Sequence, residues 1–197
     1  MDRATISGVI LAGGLGRRMG GVDKGLQLLD GRPLVLHVAE RLAPQVGPLL
    51  INANRSMAEY AALGYPVIAD RIPDFVGPLA GLHSALAACS TPLVMTAPCD
   101  SPFLPDNLVS RLYGAIQETE ANLAIARAGG RLHPVFCLCR KTLLPQLEAY
   151  LQDGGRRVAQ WCAAMGALEI DFDDQPAAFS NFNTLQELAE GGNPQNP

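Results

Sequence analysis

Residues 11–26 read Leu-Ala-Gly-Gly-Leu-Gly-Arg-Arg-Met-Gly-Gly-Val-Asp-Lys-Gly-Leu, overlapping the end of the apolar run Gly8-Val9-Ile10-Leu11. Six glycines, two adjacent arginines and one of the chain's two lysines crowd into this stretch. Successive backbone N–H groups around glycines form concavities that bind anions, and guanidinium forks add bidentate phosphate contacts. Arg17, Arg18 and Lys24 less Asp23 leave a local charge of +2 in a chain of net charge −4. The chemistry this suits is the cradling of a nucleotide triphosphate; the plain alternative is a flexible surface loop. Two familiar phosphate loops fail on spacing. Gly14 and Gly16 begin a G-x-G-x-x-G, but position 19 is Met and the next glycine, Gly20, comes one late. The P-loop fails because Lys24 follows Asp23 and precedes Gly25. A second charged position stands out at Asp100, two residues beyond the apolar run Leu93–Ala97 and its following Pro98. A carboxylate there can hold Mg²⁺ together with substrate phosphates, or it can cap a helix or make a turn hydrogen bond.

Such residues need elements to position them. Strand-like runs fall at Ser7–Leu11, Pro48–Asn52, Pro66–Ala69, Pro92–Ala97, Asn122–Ala126, Pro134–Leu138 and Ala167–Phe172. Helical patterns lie between them at Pro33–Ala43, Ser56–Leu63, Leu79–Ala88, Pro105–Thr119, Lys141–Leu151 and Arg156–Met165. Pro33 and Pro105 suit a first helical turn, and Ser56 suits an N-cap. Alternation of this kind predicts an α/β, three-layer αβα sandwich with a mostly parallel sheet. A hairpin around Gly129-Gly130 makes the sheet mixed. Ligands of such folds gather where loops leave the carboxyl ends of strands. That directs attention to 12–24, 52–55, 70–81 and 99–100.

The length of 197 residues, 48% of them hydrophobic, predicts a single domain over residues 1–190, with 191–197 as a disordered tail. The apolar runs are too short to span a bilayer, the N-terminus lacks a signal-peptide layout, and net acidity disfavours nucleic acid and anionic membranes. The five cysteines form no C-x-x-C pair. Cys137 and Cys139 share one strand face, which suits packing, and reduced thiols suit a cytoplasmic protein.

The stretch Leu11–Gly20 followed by Lys24 resembles the signature loop of nucleotidyltransferases that activate sugars, pterins and polyols. More closely, it resembles the molybdenum cofactor guanylyltransferases. The similarity continues through Asn52, Asp70, Gly77–Gly81, Pro98–Phe103, His133–Phe136 and Asn181–Thr184, nearly the length of the chain. It departs at Leu185, where relatives commonly carry proline. The resemblance implies a Rossmann-like nucleotidyltransferase fold and places Leu11, Ala12, Gly13, Lys24, Asn52, Asp70 and Asp100 in a GTP site, with Asp100 on Mg²⁺. Asp70 could accept hydrogen bonds from the Watson–Crick edge of guanine or pair with Arg71, and Asn52 could read base or ribose. Gly77–Gly81 opens a helix whose small residues allow either close ligand approach or close packing. Asn181 and Asn183, if extended, present two amides suited to a pterin edge. His133 suits a supporting role for the second substrate; His37 and His83 suit ordinary packing.

The expected reaction is transfer of GMP from GTP to the terminal phosphate of molybdopterin, with release of pyrophosphate. Lys24, with Arg18 and Arg17, would meet the developing charge, and no general base is needed. Transient contact with molybdoenzyme apoproteins or their chaperones follows from the same resemblance. Rival readings are cytidylyl transfer to molybdopterin, nucleotidyl transfer to a sugar phosphate, and a non-catalytic nucleotide sensor. Gly13-Gly14, where cytidylyl relatives typically carry Ala-Gly, favours GTP.

Overall fold

The computed structural model describes residues 1–14, 22–72 and 77–182. Its strands are β1 (Ile6–Leu11), β2 (Leu28–Leu29), β3 (Arg32–Pro33), β4 (Leu49–Asn52), β5 (Val67–Ile68), β6 (Leu93–Pro98), β7 (Leu123–Ala128), β8 (Arg131–Arg140) and β9 (Leu168–Asp171). Its helices are α1 (Leu34–Leu42), α2 (Met57–Ala61), α3 (Pro78–Ala88), α4 (Leu108–Thr119), α5 (Leu144–Gln152) and α6 (Val158–Ala164). Seven strands form one sheet in the order β5-β4-β1-β6-β8-β7-β9. Within it β8 alone runs against the rest, so the sheet is mixed and mostly parallel, as expected.

Side-chain alternation along the strands divides the core in two. Ile6, Ile10, Met95 and Leu138 pack against α1 and α4 on one face. Val9, Val94, Cys137 and Cys139 pack against α3, α5 and α6 on the other. That gives three layers. All five cysteines are free and buried, in keeping with a packing role. Burial pushes the Cys137 thiol up to about 11, so it stays protonated at neutral pH. No helix among the described residues is long and apolar enough to cross a membrane.

The hairpin at Gly129-Gly130 forms as expected, with both glycines at positive φ (57° and 69°) and Ala128 opposite Arg131. Two left-handed residues in succession match the primed turns that join twisted strands. Of three expected helix starts, one holds in position and two do not. Pro105 lies ahead of its helix, which starts at Leu108; the Pro105 carbonyl instead accepts from Leu108 N–H and from Gln45 Nε2. Ser56 occupies the N-cap position at φ 49°, and its hydroxyl makes no capping bond. Pro33 precedes α1 and pairs with Leu28 in a two-stranded ribbon absent from the sequence reading. The expected tail, 191–197, lies outside the described residues.

Candidate active site

β1, β4, β5 and β6 are parallel, so their carboxyl ends share one edge of the sheet. Antiparallel β8 begins at that same edge. A cavity of about 410 Å³ opens there. Its walls include Leu11 at the end of β1 with Ala12 and Gly13 after it, Asn52 at the end of β4, Asp70 beyond β5, and Asp100 beyond β6. Lys24 and Asn181 complete the set, so every described residue singled out for the site reaches one cavity. Arg17, Arg18 and Asn183 lie outside the described residues.

At one wall Asn52 is almost fully buried and spends both amide N–H groups within the protein. It donates to Asp70 Oδ1 at 2.9 Å and to the Ile68 carbonyl at 3.3 Å. Asn54 donates to Asp70 Oδ2 at 2.7 Å, while the Asp70 N–H donates to Asn54 Oδ1 at 2.8 Å. Asp70 therefore pairs with two amides, not with Arg71, whose N–H donates to Ser84 Oγ. Each carboxylate oxygen keeps a second lone pair for a ligand. Gly81 of α3 makes room for this arrangement: a Cβ there would sit 2.5 Å from Asn52 Oδ1 and 2.9 Å from Leu11 Cδ2. Close packing against the site is thus what the Gly77–Gly81 segment does, and Gly77 and Pro78 also face the cavity.

In the floor, Lys24 Nζ donates to Asp100 Oδ2, an ion pair between partly buried side chains. Asp100 Oδ1 is buried and accepts no hydrogen bond among the described residues. No group of three or more His, Cys, Asp or Glu suited to a metal exists among them. Lys24 opens a short 3₁₀ turn at Lys24–Leu26 whose position is fixed by its neighbours. The Tyr60 hydroxyl donates to Asp23 Oδ1, and Gln27 Nε2 donates to the Asp23 carbonyl at 3.0 Å. Burial holds the Tyr60 phenol far above its ordinary range, so it remains a donor.

The opposite wall belongs to β8. Between Ile125 opposite Cys137 and Ala126 opposite His133 the register slips, leaving Pro134, Val135 and Phe136 unpaired in the ladder with β7. Such bulges re-aim side chains beside active sites. Here the bulge lines the cavity, and Thr96 Oγ1 fixes it by donating to the Val135 carbonyl at 2.7 Å. His133 stacks near Phe179, ring centroids 5.0 Å apart. Burial and then the Arg131 charge hold its imidazole below the ordinary value. Ser101, fully buried, donates to Asn181 Oδ1, and the Phe182 N–H donates to the Asp100 carbonyl at 3.0 Å. Asn181 is thereby tied to the loop that carries Asp100.

The sequence reading flagged 52–55 and Pro98–Phe103 without giving Asn54, Arg55 or Ser101 a role, and it did not single out Tyr60. Asn54 had a signal, since it follows Asn52 at the two-residue spacing that keeps side chains on one face of an extended chain.

Residues 8–166 match the model of the MobA-like NTP transferase domain. The chain belongs to this family. Molybdenum cofactor guanylyltransferase of Ralstonia nicotianae is 50% identical over 194 residues, covering 94% of this chain and 95% of its own length. The protein of the same name from Cupriavidus necator is 53% identical over 191 residues, covering 94% and 96%. Molybdopterin-guanine dinucleotide biosynthesis protein A from Archaeoglobus fulgidus shares the fold at a TM-score of 0.76, with 22% identity and coverage of 94% and 96%. The MobA-like family fold also extends to a 4-diphosphocytidyl-2C-methyl-D-erythritol synthase from Anaerococcus prevotii, at a TM-score of 0.73 and 12% identity.

Proposed function

We infer that this MobA-like transferase moves GMP from GTP onto the terminal phosphate of molybdopterin and releases pyrophosphate. The observation that carries the reading is the convergence of Lys24, Asp70, Asp100 and Asn181 on one cavity, in a chain about half identical to molybdenum cofactor guanylyltransferases. The backbone of Leu11–Gly13 and the carboxylate of Asp70 take the guanine edge. Asn52 and Asn54 act through Asp70 by holding its oxygens in place, which moves Asn52 from the reading of the base to its support. Lys24, together with Arg17 and Arg18, takes the triphosphate. Asn181, which lines the cavity with the β8 bulge, takes the pterin together with Asn183.

An acceptor phosphate oxygen bonds to the α-phosphorus in line, the bond from that phosphorus to the bridging oxygen breaks, and pyrophosphate leaves with the electron pair. The acceptor is already anionic near neutral pH, so the protein need abstract no proton. Its work is positioning and the meeting of charge that develops during transfer. The buried, unengaged Asp100 Oδ1 fits Mg²⁺, an ion that uses one or two carboxylates and completes its shell with phosphates and water. When bound, that ion supplies charge neutralisation at the phosphate oxygens. Five free thiols suit the reducing cytoplasm, where the product would pass to molybdoenzyme apoproteins or their chaperones. The test is pyrophosphate release with molybdopterin and each nucleoside triphosphate in turn. GTP should support it, and release with CTP but not GTP would overturn the reading.

A further inference from the structure

Arg55, just beyond β4, reaches across to the glycine-rich segment. Its Nη2 donates to the Gly14 carbonyl at 3.2 Å and to the Val22 carbonyl at 3.0 Å. Those are the described residues that flank 15–21. Its Nε lies 3.7 Å from Asp23 Oδ2. Asp23 in turn receives the Tyr60 hydroxyl, and Tyr60 is fully buried beneath Gly25. A Cβ at position 25 would stand 2.5 Å from that hydroxyl and 3.3 Å from Cys99 Sγ. The polar cluster Arg55–Asp23–Tyr60 thus grips the residue immediately before Lys24, while Gly25 lets the chain descend onto it immediately after. Lys24 itself points to Asp100.

We propose that Arg55 is a positioning residue: it holds the two ends of the glycine-rich loop together and, through Asp23, sets Lys24 against the transfer site. A guanidinium suits this task because its planar fork can donate to two carbonyls and face a carboxylate at once. A lysine ammonium keeps the charge but lacks the fork. The inference rests on the guanylyl-transfer reading for the role of Lys24, and on geometry for the rest.

The test compares Arg55→Ala, Arg55→Lys, Lys24→Ala and the Arg55→Ala/Lys24→Ala double variant in single-turnover GMP transfer, with amide hydrogen exchange over residues 22–27. Arg55→Ala should lower turnover by about tenfold or more, and Arg55→Lys should not restore it. Residues that act as a unit are non-additive, so the double variant should be no slower than Lys24→Ala alone. Exchange over 22–27 should rise in both single Arg55 variants while that of β1 and β6 stays unchanged. Multiplying losses, wild-type turnover in Arg55→Lys, or unchanged exchange would overturn the proposal. Wild-type protein inactive with GTP would instead strike the guanylyl-transfer reading, leaving the exchange measurement to judge Arg55 by itself.

Discussion

Lys24 and Asp100, 76 positions apart, are joined by an ion pair in the floor of the cavity, with the second oxygen of Asp100 left buried and unengaged among the described residues. On the proposed reading, the pair stands where a triphosphate and its counterion would meet, and a bound triphosphate would compete with Asp100 for the lysine.

Lys24→Ala should therefore cost turnover more than binding. The loss of one preorganised donor at developing charge is on the order of 10²–10³ in kcat. Affinity for GTP should change by less than roughly tenfold, because other loop groups still hold the phosphates. Calorimetry beside single-turnover transfer separates the two. Abolished binding with normal turnover at saturating GTP would reduce Lys24 to a grip.

Asp100→Asn keeps the shape of the site and removes the charge. It should lose at least as much turnover as Lys24→Ala, with added Mg²⁺ restoring only part. Full activity in Asp100→Asn would place the ion elsewhere.

Selectivity for guanine should depend on Asn52 and Asn54 as well as Asp70. Each lost hydrogen bond to Asp70 is worth about 0.5–1.5 kcal/mol net. Asn52→Ala or Asn54→Ala should then weaken GTP by several-fold without altering acceptor constants. Thermal-shift titration with all four triphosphates measures it. Equal protection by the four would remove the guanine assignment.

Gly81→Ala should damage the same wall by intrusion. The added methyl would meet Asn52 Oδ1 at 2.5 Å and Leu11 Cδ2 at 2.9 Å, closer than such contacts allow. Overpacking of this kind costs about 1–3 kcal/mol. Denaturant unfolding should show that loss, accompanied by weaker GTP binding; wild-type values for both would mean the wall yields.

His133 provides a pH test. Burial, and then the charge of Arg131, depress its folded-state value below the ordinary 6.5. The unfolded chain therefore binds the proton more readily, and stability present above about pH 6.5 is lost as the pH falls through the folded-state value. His133→Gln should flatten that acid-side decline. Urea unfolding between about pH 7.5 and 5 would reveal it, and an unchanged slope would assign the decline to other groups.

The edge that carries the cavity was legible because strands alternating with helices can only bring four parallel carboxyl ends to one side. Asp70 and Asn52 were visible as polar residues just past apolar runs. Their pairing was not, since it needs the register that sets Asn52 opposite Ile68, and sequence spacing carries no register between β4 and β5. The Lys24–Asp100 pair was hidden for a similar reason: both were candidates, but only the alignment of β1 with β6, Leu11 opposite Pro98, brings their loops together. Arg55 lay within the flagged stretch 52–55, but its role was hidden, because its partners at Gly14 and Val22 are backbone carbonyls, which no residue type advertises. The β8 bulge left only Pro134 as a hint, a residue that cannot donate to a ladder.

The reversal of β8 has a consequence for how such an enzyme can change. With that one strand turned round, the cavity residues up to Asp100 all precede α4 in the chain, and Leu132–Phe136 and Asn181 all follow it. The two sides meet across β6 and β8 but are coded separately. On the proposed reading, grafting a different stretch beyond residue 121 onto this first part would exchange the acceptor side while keeping the residues of the nucleotide side. A crossover in the loop between α4 and β7 is where a hybrid with a new acceptor could be built.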